Sequence, residues 1–238
     1  VICGDDSGKI VVRRTATGEI VKQYKNKNSS ACSSISVSPD KEFFVSGHKD
    51  GFVNVVEIKT GKSVTSFRHN GDVRSVSFAP SKLDDPDAKQ LQIAVVQQQK
   101  NILFYDIDRI GGKKAPPQFK HEDWVRAVSY SQDGKFIVTG DDQSKIIFRD
   151  LATRETVREL VCPGFKNNEG DYIYAVCFLN NGDLAVGTGR GIVYIYSASA
   201  FSLDKNWSKE QDKDLTNLMK ETKQDTENID ATSVCATL

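Results

Sequence analysis

Short apolar strands and tight polar turns alternate along most of the chain, and this pattern occurs five times. In each repeat a small or polar turn is followed by an apolar run whose first aliphatic residue aligns between repeats. A second strand of alternating apolar residues precedes each turn and is clearest at 125–130. Short β-rich runs closed by Gly, Asp, Asn or Pro predict hairpins rather than helices. The aligned aliphatic residues, 43, 49, 44 and 47 positions apart, are Ile10, Val53, Ile102, Ile146 and Val193.

The spacing of the repeats predicts the architecture. Four strands in each period of about 40–45 residues are typical of a β-propeller blade, so we predict an all-β fold. The first blade lacks an innermost strand and the last lacks an outermost strand, which leaves about four and a half blades. The predicted blade steps lie near 1–26, 27–67, 68–118, 119–161 and 162–200.

Residues 1–200 resemble the WD-repeat family, in spacing and turn chemistry as much as in residue identity. The family's turn aspartate is present as Asp50, and its Gly-His histidine as His69 and His121. The resemblance implies structural roles for these three residues and for Tyr105, Asp106 and Asp150. No blade keeps both residues of the family's Trp-Asp pair, whose positions hold Arg13-Arg14, Val56-Glu57, Tyr105-Asp106, Arg149-Asp150 and Tyr196-Ser197.

The resemblance also implies how the propeller closes. WD-repeat propellers commonly take the outermost strand of the last blade from the N-terminal part of the chain, and we expect the same here. Such closure removes the exposed sheet edges of an open propeller. Because the family usually has seven blades, we interpret the chain as the C-terminal portion of a divergent seven-bladed propeller.

The repeat pattern ends near residue 200, and residues 201–238 form a polar tail. A capping-box signature at 208–211 precedes a thin apolar stripe, which predicts a short helix over 207–222. We expect the remainder of the tail to be disordered. The helix either docks on the propeller or binds a partner. Two insertions, at 81–90 and 111–117, are interpreted as solvated loops or partner contacts.

Charge and cysteine content narrow the class of protein. Lys and Arg total 32 and so do Asp and Glu, so the formal net charge is zero. A neutral chain argues against a broad nucleic-acid or acidic-membrane surface. No apolar run approaches the ~20 residues that span a bilayer, so we predict no membrane insertion. Five widely spaced cysteines without a Cys-x-x-Cys motif predict reduced thiols in an intracellular, cytoplasmic protein, with the nucleus left open.

The sequence offers few candidates for catalysis. The carboxylate pairs Asp5-Asp6 and Asp141-Asp142 occupy tight turns, where Asp is favoured for backbone reasons. The glycine-rich run 187–191 leads into a strand, whereas a phosphate-binding loop leads into a helix. No spacing of His, Cys and Asp indicates a metal site. We therefore predict that the protein is not an enzyme and has no catalytic residue, no metal and no cofactor.

The resemblance points to one candidate binding surface. In the WD-repeat family, residues flanking the first apolar position of the innermost strand face the top surface, as does the residue before the turn aspartate. Trp, Tyr and Arg, which dominate protein-interface hot spots, occur at several of these positions. We predict a scaffold or adaptor, part of a multi-protein complex, that binds a protein or peptide partner there. The candidate residues are Trp124, Arg126, Tyr172, Tyr174, Asp72, Arg74, Asp142 and Lys49.

Two other functions stay open at this point. The region from 181–183 to the predicted helix at 207–219 resembles the propeller end of the phospholipase-activating, ubiquitin-binding family, which implies recognition of ubiquitin or another modifier. An RNA-associated scaffold would use the basic residues Lys9, Arg13, Arg14 and the pair at 113–114. Zero net charge and the absence of an aromatic–basic stripe make nucleic acid the weaker alternative.

Overall fold

The structure is a computed structural model that describes residues 1–25, 30–80, 91–97, 100–107, 117–162, 172–197, 220–222 and 234–236. The insertion at 81–90, residues 111–116 of the second insertion and residues 207–219 of the predicted helix lie outside this part. The chain divides into two compact units. The first unit contains residues 1–122 and 228–238, and the second contains residues 123–227. The sequence predicts one propeller segment over 1–200, whereas the unit boundary falls within it.

The described residues form β-strands joined by tight turns. In chain order they are β1 (Ile2–Gly4), β2 (Lys9–Arg13), β3 (Ile20–Lys25), β4 (Cys32–Val37), β5 (Phe43–His48), β6 (Phe52–Glu57), β7 (Ser63–Arg68), β8 (Val73–Phe78), β9 (Gln92–Gln97), β10 (Asn101–Asp106), β11 (Gln118–Lys120), β12 (Val125–Tyr130), β13 (Phe136–Asp141), β14 (Lys145–Asp150), β15 (Thr156–Val161), β16 (Ile173–Phe178), β17 (Leu184–Thr188), β18 (Val193–Tyr196), β19 (Lys220–Thr222) and β20 (Val234–Ala236).

These strands build five four-stranded antiparallel sheets, which we call blades. In the first unit, blade 1 has the order β20-β1-β2-β3, blade 2 the order β4-β5-β6-β7 and blade 3 the order β8-β9-β10-β11. In the second unit, blade 4 has the order β12-β13-β14-β15 and blade 5 the order β16-β17-β18-β19. Four strands per repeat agree with the predicted blade.

The core of each unit lies between adjacent blades. In the first unit, Phe44 packs with residues of blade 1, and Val45 packs with residues of blade 3. The alternation of side chains along β5 therefore serves two interfaces at once. In the second unit, one core joins blades 4 and 5 and includes Phe148, Ile173 and Leu184, which are fully buried.

A glycine allows blades 4 and 5 to pack closely against each other. Gly140 in β13 lies against Ile173 of β16, and a Cβ at position 140 would overlap the Ile173 Cγ2 methyl group. The same relation holds in the first unit, where Gly47 lies against Val73. A branched side chain is thus seated directly on the glycine of the preceding blade.

Both incomplete blades are completed by strands from the tail, which corrects three predictions. β20 pairs with β1 and supplies the innermost strand of blade 1. β19 pairs with β18, so the outermost strand of blade 5 comes from the tail and not from the N-terminal part of the chain. Residues 220–222 are therefore strand where the sequence predicts the end of a helix, and 234–236 are strand where it predicts disorder. Pairing satisfies the backbone N–H and C=O groups that a free sheet edge leaves open.

Candidate protein-interaction surface

Five of the predicted rim residues lie in the second unit, at the ends of strands in blades 4 and 5. Trp124 and Arg126 flank the buried Val125 at the start of β12, and Tyr172 and Tyr174 flank the buried Ile173 at the start of β16. Because successive side chains of a strand point to opposite faces, burial of the central residue turns its neighbours outward. We call Trp124, Arg126, Asp142, Tyr172 and Tyr174 the aromatic–arginine surface.

An ion pair forms the base of this surface. The Arg126 guanidinium donates from Nε to Oδ1 of Asp142 and from Nη2 to Oδ2, the second bond being 3.1 Å long. Two parallel bonds of this kind fix the plane of the guanidinium group and are stronger than neutral hydrogen bonds. Both side chains are partly shielded from solvent, at 20% and 26% exposure. The charge of Arg126 is therefore already matched by Asp142.

The same guanidinium group lies over two tyrosine rings. Its central carbon is 4.1 Å from the ring centroid of Tyr172 and 5.6 Å from that of Tyr174. The two ring centroids are 5.3 Å apart, with their planes inclined by 53°. Cation–π attraction of this type stabilises the arrangement. Gly189 permits it, since a Cβ there would come within 2.6 Å of the Tyr172 ring.

Trp124 has a fixed backbone and an exposed side chain. Its N–H donates to Oδ1 of Asp123 at 2.7 Å, and its carbonyl oxygen accepts from the N–H of Asp142 at 3.0 Å. The Asp123 carboxylate is held in turn by the side-chain amide of Gln143 at 2.8 Å. Trp124 is 45% exposed and Tyr174 is 57% exposed. Two large aromatic groups are thus presented to solvent from an ordered base.

The other three predicted rim residues lie in the first unit and contact neighbours there. Arg74 pairs with Asp72, which directly precedes its strand, with Nη2 and Oδ2 3.5 Å apart. Lys49 lies 3.9 Å from the carboxylate of Asp6, and both side chains are more than half exposed. An exposed pair of this kind contributes little to stability. Neither pair has aromatic contacts like those of Arg126 among the described residues.

The residues predicted to be structural make ring contacts, are buried, or accept hydrogen bonds. His69 packs edge-on against Phe67 and Tyr105, with ring centroids 5.4 and 5.5 Å away, and burial lowers its pKa. Burial also raises the pKa of Tyr105 to about 12. His121 is buried as well. The remaining three predicted residues accept hydrogen bonds: Asp50 from the N–H of Phe52, Asp106 from Gln92, and Asp150 from the N–H groups of Ala152 and Thr153.

Two aspartates that the sequence analysis places in tight turns, Asp5 and Asp141, accept hydrogen bonds from the backbone of those turns. Asp5 accepts hydrogen bonds from the N–H groups of Ser7 and Lys9 at 2.9 and 3.0 Å. Asp141 accepts in the same way from Gln143 and Lys145, both at 2.9 Å. These residues precede the family's aspartate position by two residues, and both belong to a Gly-Asp-Asp sequence shared by the first and fourth repeats. Their carboxylates are engaged by backbone, as expected for turn residues.

The structure describes only some of the residues on which the two alternative functions depend. Arg13 donates to the carbonyl oxygen of Gly18 at 2.8 Å, and Arg14 lies 3.7 Å from the carboxylate of Glu19, so both cations contact their own hairpin. The basic pair at 113–114 and the stretch 207–219 lie outside the described residues. In the part of the chain that is described, no group of His, Cys, Asp and Glu residues could hold a metal ion. No helix there has the length and hydrophobicity needed to cross a membrane.

Comparison with known proteins identifies the repeat. The model of the WD40 domain of anaphase-promoting complex subunit 4 matches residues 1–81, and that of the WD domain, G-beta repeat, matches residues 116–149. The chain contains WD repeats over these two stretches. The β-propeller domain of Cps50 (Swd1) from Myceliophteria thermophila superimposes with a TM-score of 0.64 at 16% identity, over 82% of this chain and 60% of that chain. The predicted all-β, WD-type propeller fold is confirmed.

Two curated relatives extend the comparison. Over 187 residues, this WD-repeat chain is 27% identical to Actin-interacting protein 1 of Drosophila melanogaster, which covers 75% of the chain and 28% of the relative. Over 147 residues it is 28% identical to Eukaryotic translation initiation factor 3 subunit I of Scheffersomyces stipitis, which covers 57% of the chain and 41% of the relative. The WD-repeat chain thus spans less than half the length of these relatives.

Proposed function

We propose that this WD-repeat chain is a non-catalytic scaffold that binds a protein or peptide partner on its aromatic–arginine surface. The observation that carries the proposal is the exposure of Trp124 and Tyr174 above the fixed Arg126–Asp142 pair. The comparisons support the general role. One match is named for its interaction with actin, and two are named as subunits of larger assemblies.

The geometry favours a partner that contributes apolar or aromatic groups. Trp and Tyr give a large contact area, and their binding costs little side-chain entropy when the backbone is already ordered. Arg126 is neutralised by Asp142 and covered by Tyr172, so it acts as a rigid base and not as a free cation for an acidic ligand. A partner would gain most of its affinity from burying the indole ring and the Tyr174 ring.

The carboxylates nearest the surface support a non-catalytic role. Asp141 is held by two backbone N–H groups, and Asp142 is held by Arg126. General acid–base catalysis needs a carboxyl group placed to exchange a proton with a substrate. Both groups are instead engaged by the protein itself, which suits a rigid binding surface.

A peptide-display selection on the immobilised full chain tests this function. Peptides enriched on the wild type are measured against a variant with Trp124→Ala and Tyr174→Ala. Loss of two aromatic anchors is expected to weaken binding by at least about 30-fold, which corresponds to about 2 kcal/mol. Tyr172 and Arg126 are left intact so that the base of the surface keeps its geometry.

The matched control is Val161→Ala. Val161 is an exposed apolar residue of the same unit, at 57% exposure on β15, and lies outside the aromatic–arginine surface. This variant should bind the selected peptides as the wild type does, and circular dichroism should show that all three proteins are folded. The proposal is wrong if the double variant keeps full affinity, or if no peptide is enriched.

A further inference from the structure

A cleft of about 640 Å³ lies between blades 1 and 2 of the first unit, and we call it the inter-blade cleft. A polar row crosses its blade 2 wall, where Ser46 of β5 is opposite Asn54 of β6, and Asn54 is opposite Ser66 of β7. Residues directly opposed in a sheet share a face. Cavities of this size are typical of small-molecule sites, which combine apolar walls with a few placed polar groups.

The equivalent row of blade 3 is aliphatic. It begins with Val95 on β9 and Leu103 on β10, which are both buried, and Val95 belongs to the core that blade 3 shares with blade 2. In blade 2 the same positions hold Ser46 and Asn54, and Asn54 is only partly buried. Hydrogen-bonding side chains therefore line a cleft at positions where blade 3 has packed core residues.

A buried histidine sets the hydrogen-bonding character of the floor of the cleft. Nδ1 of His48 lies 3.2 Å from the carbonyl oxygen of Ser30, which can only accept, so Nδ1 carries the proton. Burial lowers the pKa of His48, so the ring is neutral at pH 7 and its Nε2 accepts from the Ser46 hydroxyl at 3.0 Å. The floor is therefore uncharged, and it suits a neutral polar group better than an ion.

Aromatic side chains form the walls of the cleft. Tyr24 of blade 1 and Phe44 of blade 2 contact each other, with ring centroids 5.1 Å apart, and Phe52 lines the cleft from β6. The Tyr24 hydroxyl donates to the carbonyl oxygen of Ile58 at 2.8 Å, which holds its ring in place. Flat aromatic groups of this kind stack on nucleobases.

Cations surround these aromatic walls. Lys25 lines the cleft, and the Lys22 ammonium group lies 5.8 Å from the ring centroid of Tyr24. The central carbon of the Arg68 guanidinium group lies 5.4 Å from the ring centroid of Phe52. Lys22 and Arg68 donate to backbone carbonyl groups, which carry no formal charge. Among the described residues that line the cleft, none is a carboxylate, so its rim attracts an anionic group.

We propose that the inter-blade cleft binds a free nucleotide, with the base against the aromatic walls and the phosphate at Lys25. The polar edge of the base would face the Ser46–Asn54–Ser66 row, where the Asn54 amide has both a donor and an acceptor for it. The cleft shares no residue with the aromatic–arginine surface, so this inference goes beyond the proposed function and is tested independently of it.

A series of three ligands tests the two halves of the site. Isothermal titration calorimetry of the full chain with adenosine 5′-monophosphate (AMP) should give a dissociation constant on the order of 10–100 µM. Adenosine, which lacks the phosphate, should bind about fivefold more weakly because the contact with Lys25 is lost. Ribose 5-phosphate, which lacks the base, should bind at least about tenfold more weakly than AMP because stacking is lost.

Asn54→Leu tests the position of the ligand. It places a leucine where blade 3 has Leu103, so it should fill the cleft while the blade keeps its fold. AMP and adenosine should both bind at least about tenfold more weakly, because the variant removes the amide and the space for the base. Circular dichroism checks that the variant is folded.

Lys25→Gln tests the phosphate contact, with Lys135→Gln as the matched control. Lys135 is an exposed lysine of the second unit, far from the cleft in sequence, and pairs with Asp133. Lys25→Gln should weaken AMP binding about fivefold and leave adenosine binding unchanged, because only AMP carries the phosphate. Lys135→Gln should bind both ligands like the wild type.

NMR on the wild type gives a measurement that does not depend on a variant folding. Backbone amide signals of Ser46, Asn54 and Ser66 should shift as AMP is added, and those of blade 4 should not. The proposal is overturned if AMP causes neither heat nor shifts up to about 1 mM, if ribose 5-phosphate binds as well as AMP, or if folded Asn54→Leu binds like the wild type. It is also overturned if a single-stranded RNA displaces AMP at a lower concentration than free nucleotide does, since a strand would then be the ligand.

Discussion

Gly140 lies in β13 where the branched side chain of Ile173 rests against its Cα atom, and it shows how a single residue sets the packing of two blades. Gly47 has the same relation to Val73 in the first unit. Interiors are close-packed, so an added methyl group at such a point must displace a neighbour. The glycine that recurs in the repeats is therefore required by packing at positions 47 and 140.

Gly140→Ala should lower the free energy of unfolding by about 1–3 kcal/mol, the usual cost of overpacking a core. Gly187→Ala is the matched control, because it changes the equivalent residue of blade 5, where the nearest side-chain atom is 3.7 Å from the added Cβ. This control should lie within about 0.5 kcal/mol of the wild type. Urea denaturation of the three proteins measures the difference. Equal losses in both variants would contradict the packing argument.

His69 makes the free energy of unfolding depend on pH. Burial lowers the pKa of His69 below its ordinary value of 6.5, and burial lowers that of His48 as well. When the pH falls through 6.5, the unfolded chain therefore takes up protons before the folded chain does. The free energy of unfolding should be highest above this pH and fall below it.

His69→Phe should make this decline shallower. The phenyl ring can keep the contacts with Phe67 and Tyr105 and has no proton to gain. Urea denaturation of the variant and the wild type is compared at pH 8, where the side chain at position 69 is uncharged in both proteins, and at pH values down to about 5. His48 and the buried Asp141 are present in both proteins, so their contributions cancel. Identical slopes in the two proteins would show that His69 does not contribute.

At the scale of strands, local signals predicted most of the fold. β12 and β16 are mostly apolar runs that recur at the repeat period and end at turn-forming residues, so the repeat period and turn chemistry define them. β19 and β20 have three residues each and lie in a polar tail without such a period. Their pairing depends on free edges at β18 and β1, which are distant in sequence. A local pattern carries no information about such a partner.

For the candidate surface, the positions of the residues could be predicted from sequence, but their side-chain contacts could not. Its residues follow from the position of Val125 and Ile173 at the start of their strands. The two hydrogen bonds of Arg126 to Asp142 and its contact with Tyr172 do not, because they depend on rotamers set by packing. Sequence therefore predicted which residues lie at these strand ends, and the structure shows which of their side chains are exposed.

The pairing of β20 with β1 has a consequence that hydrogen exchange can detect. Deleting residues 228–238 would uncover the edge of β1, and its edge-facing amides should exchange at least about tenfold faster. Exchange measured by NMR on the full chain and the shortened chain tests this. Amides of β13, in the second unit, provide the internal reference and should not change. Unchanged protection in β1 would mean that β20 does not cover this edge in solution.

At the scale of the whole molecule, charge distinguishes the possible kinds of partner. The chain has no formal net charge, and the aromatic–arginine surface is neutral because Arg126 and Asp142 cancel. Arg13 and Arg14, two candidates for contact with RNA, interact within their own hairpin. A partner that binds mainly through aromatic burial and one that binds through phosphate contacts should therefore respond differently to salt.

Binding of the selected peptides should change by no more than about threefold between roughly 50 and 500 mM NaCl, because few charges form new contacts at the neutral surface. A nucleic acid held by several Lys and Arg contacts would lose affinity by orders of magnitude over that range. Fluorescence anisotropy with a labelled peptide and with a labelled single-stranded RNA, on the same protein at each salt concentration, gives both slopes. Trp124→Ala should reduce the affinity of the peptide at every salt concentration by a similar factor. A steep salt dependence of peptide binding would instead place the interaction on charged groups elsewhere in the chain, and the aromatic–arginine surface would lose its proposed role.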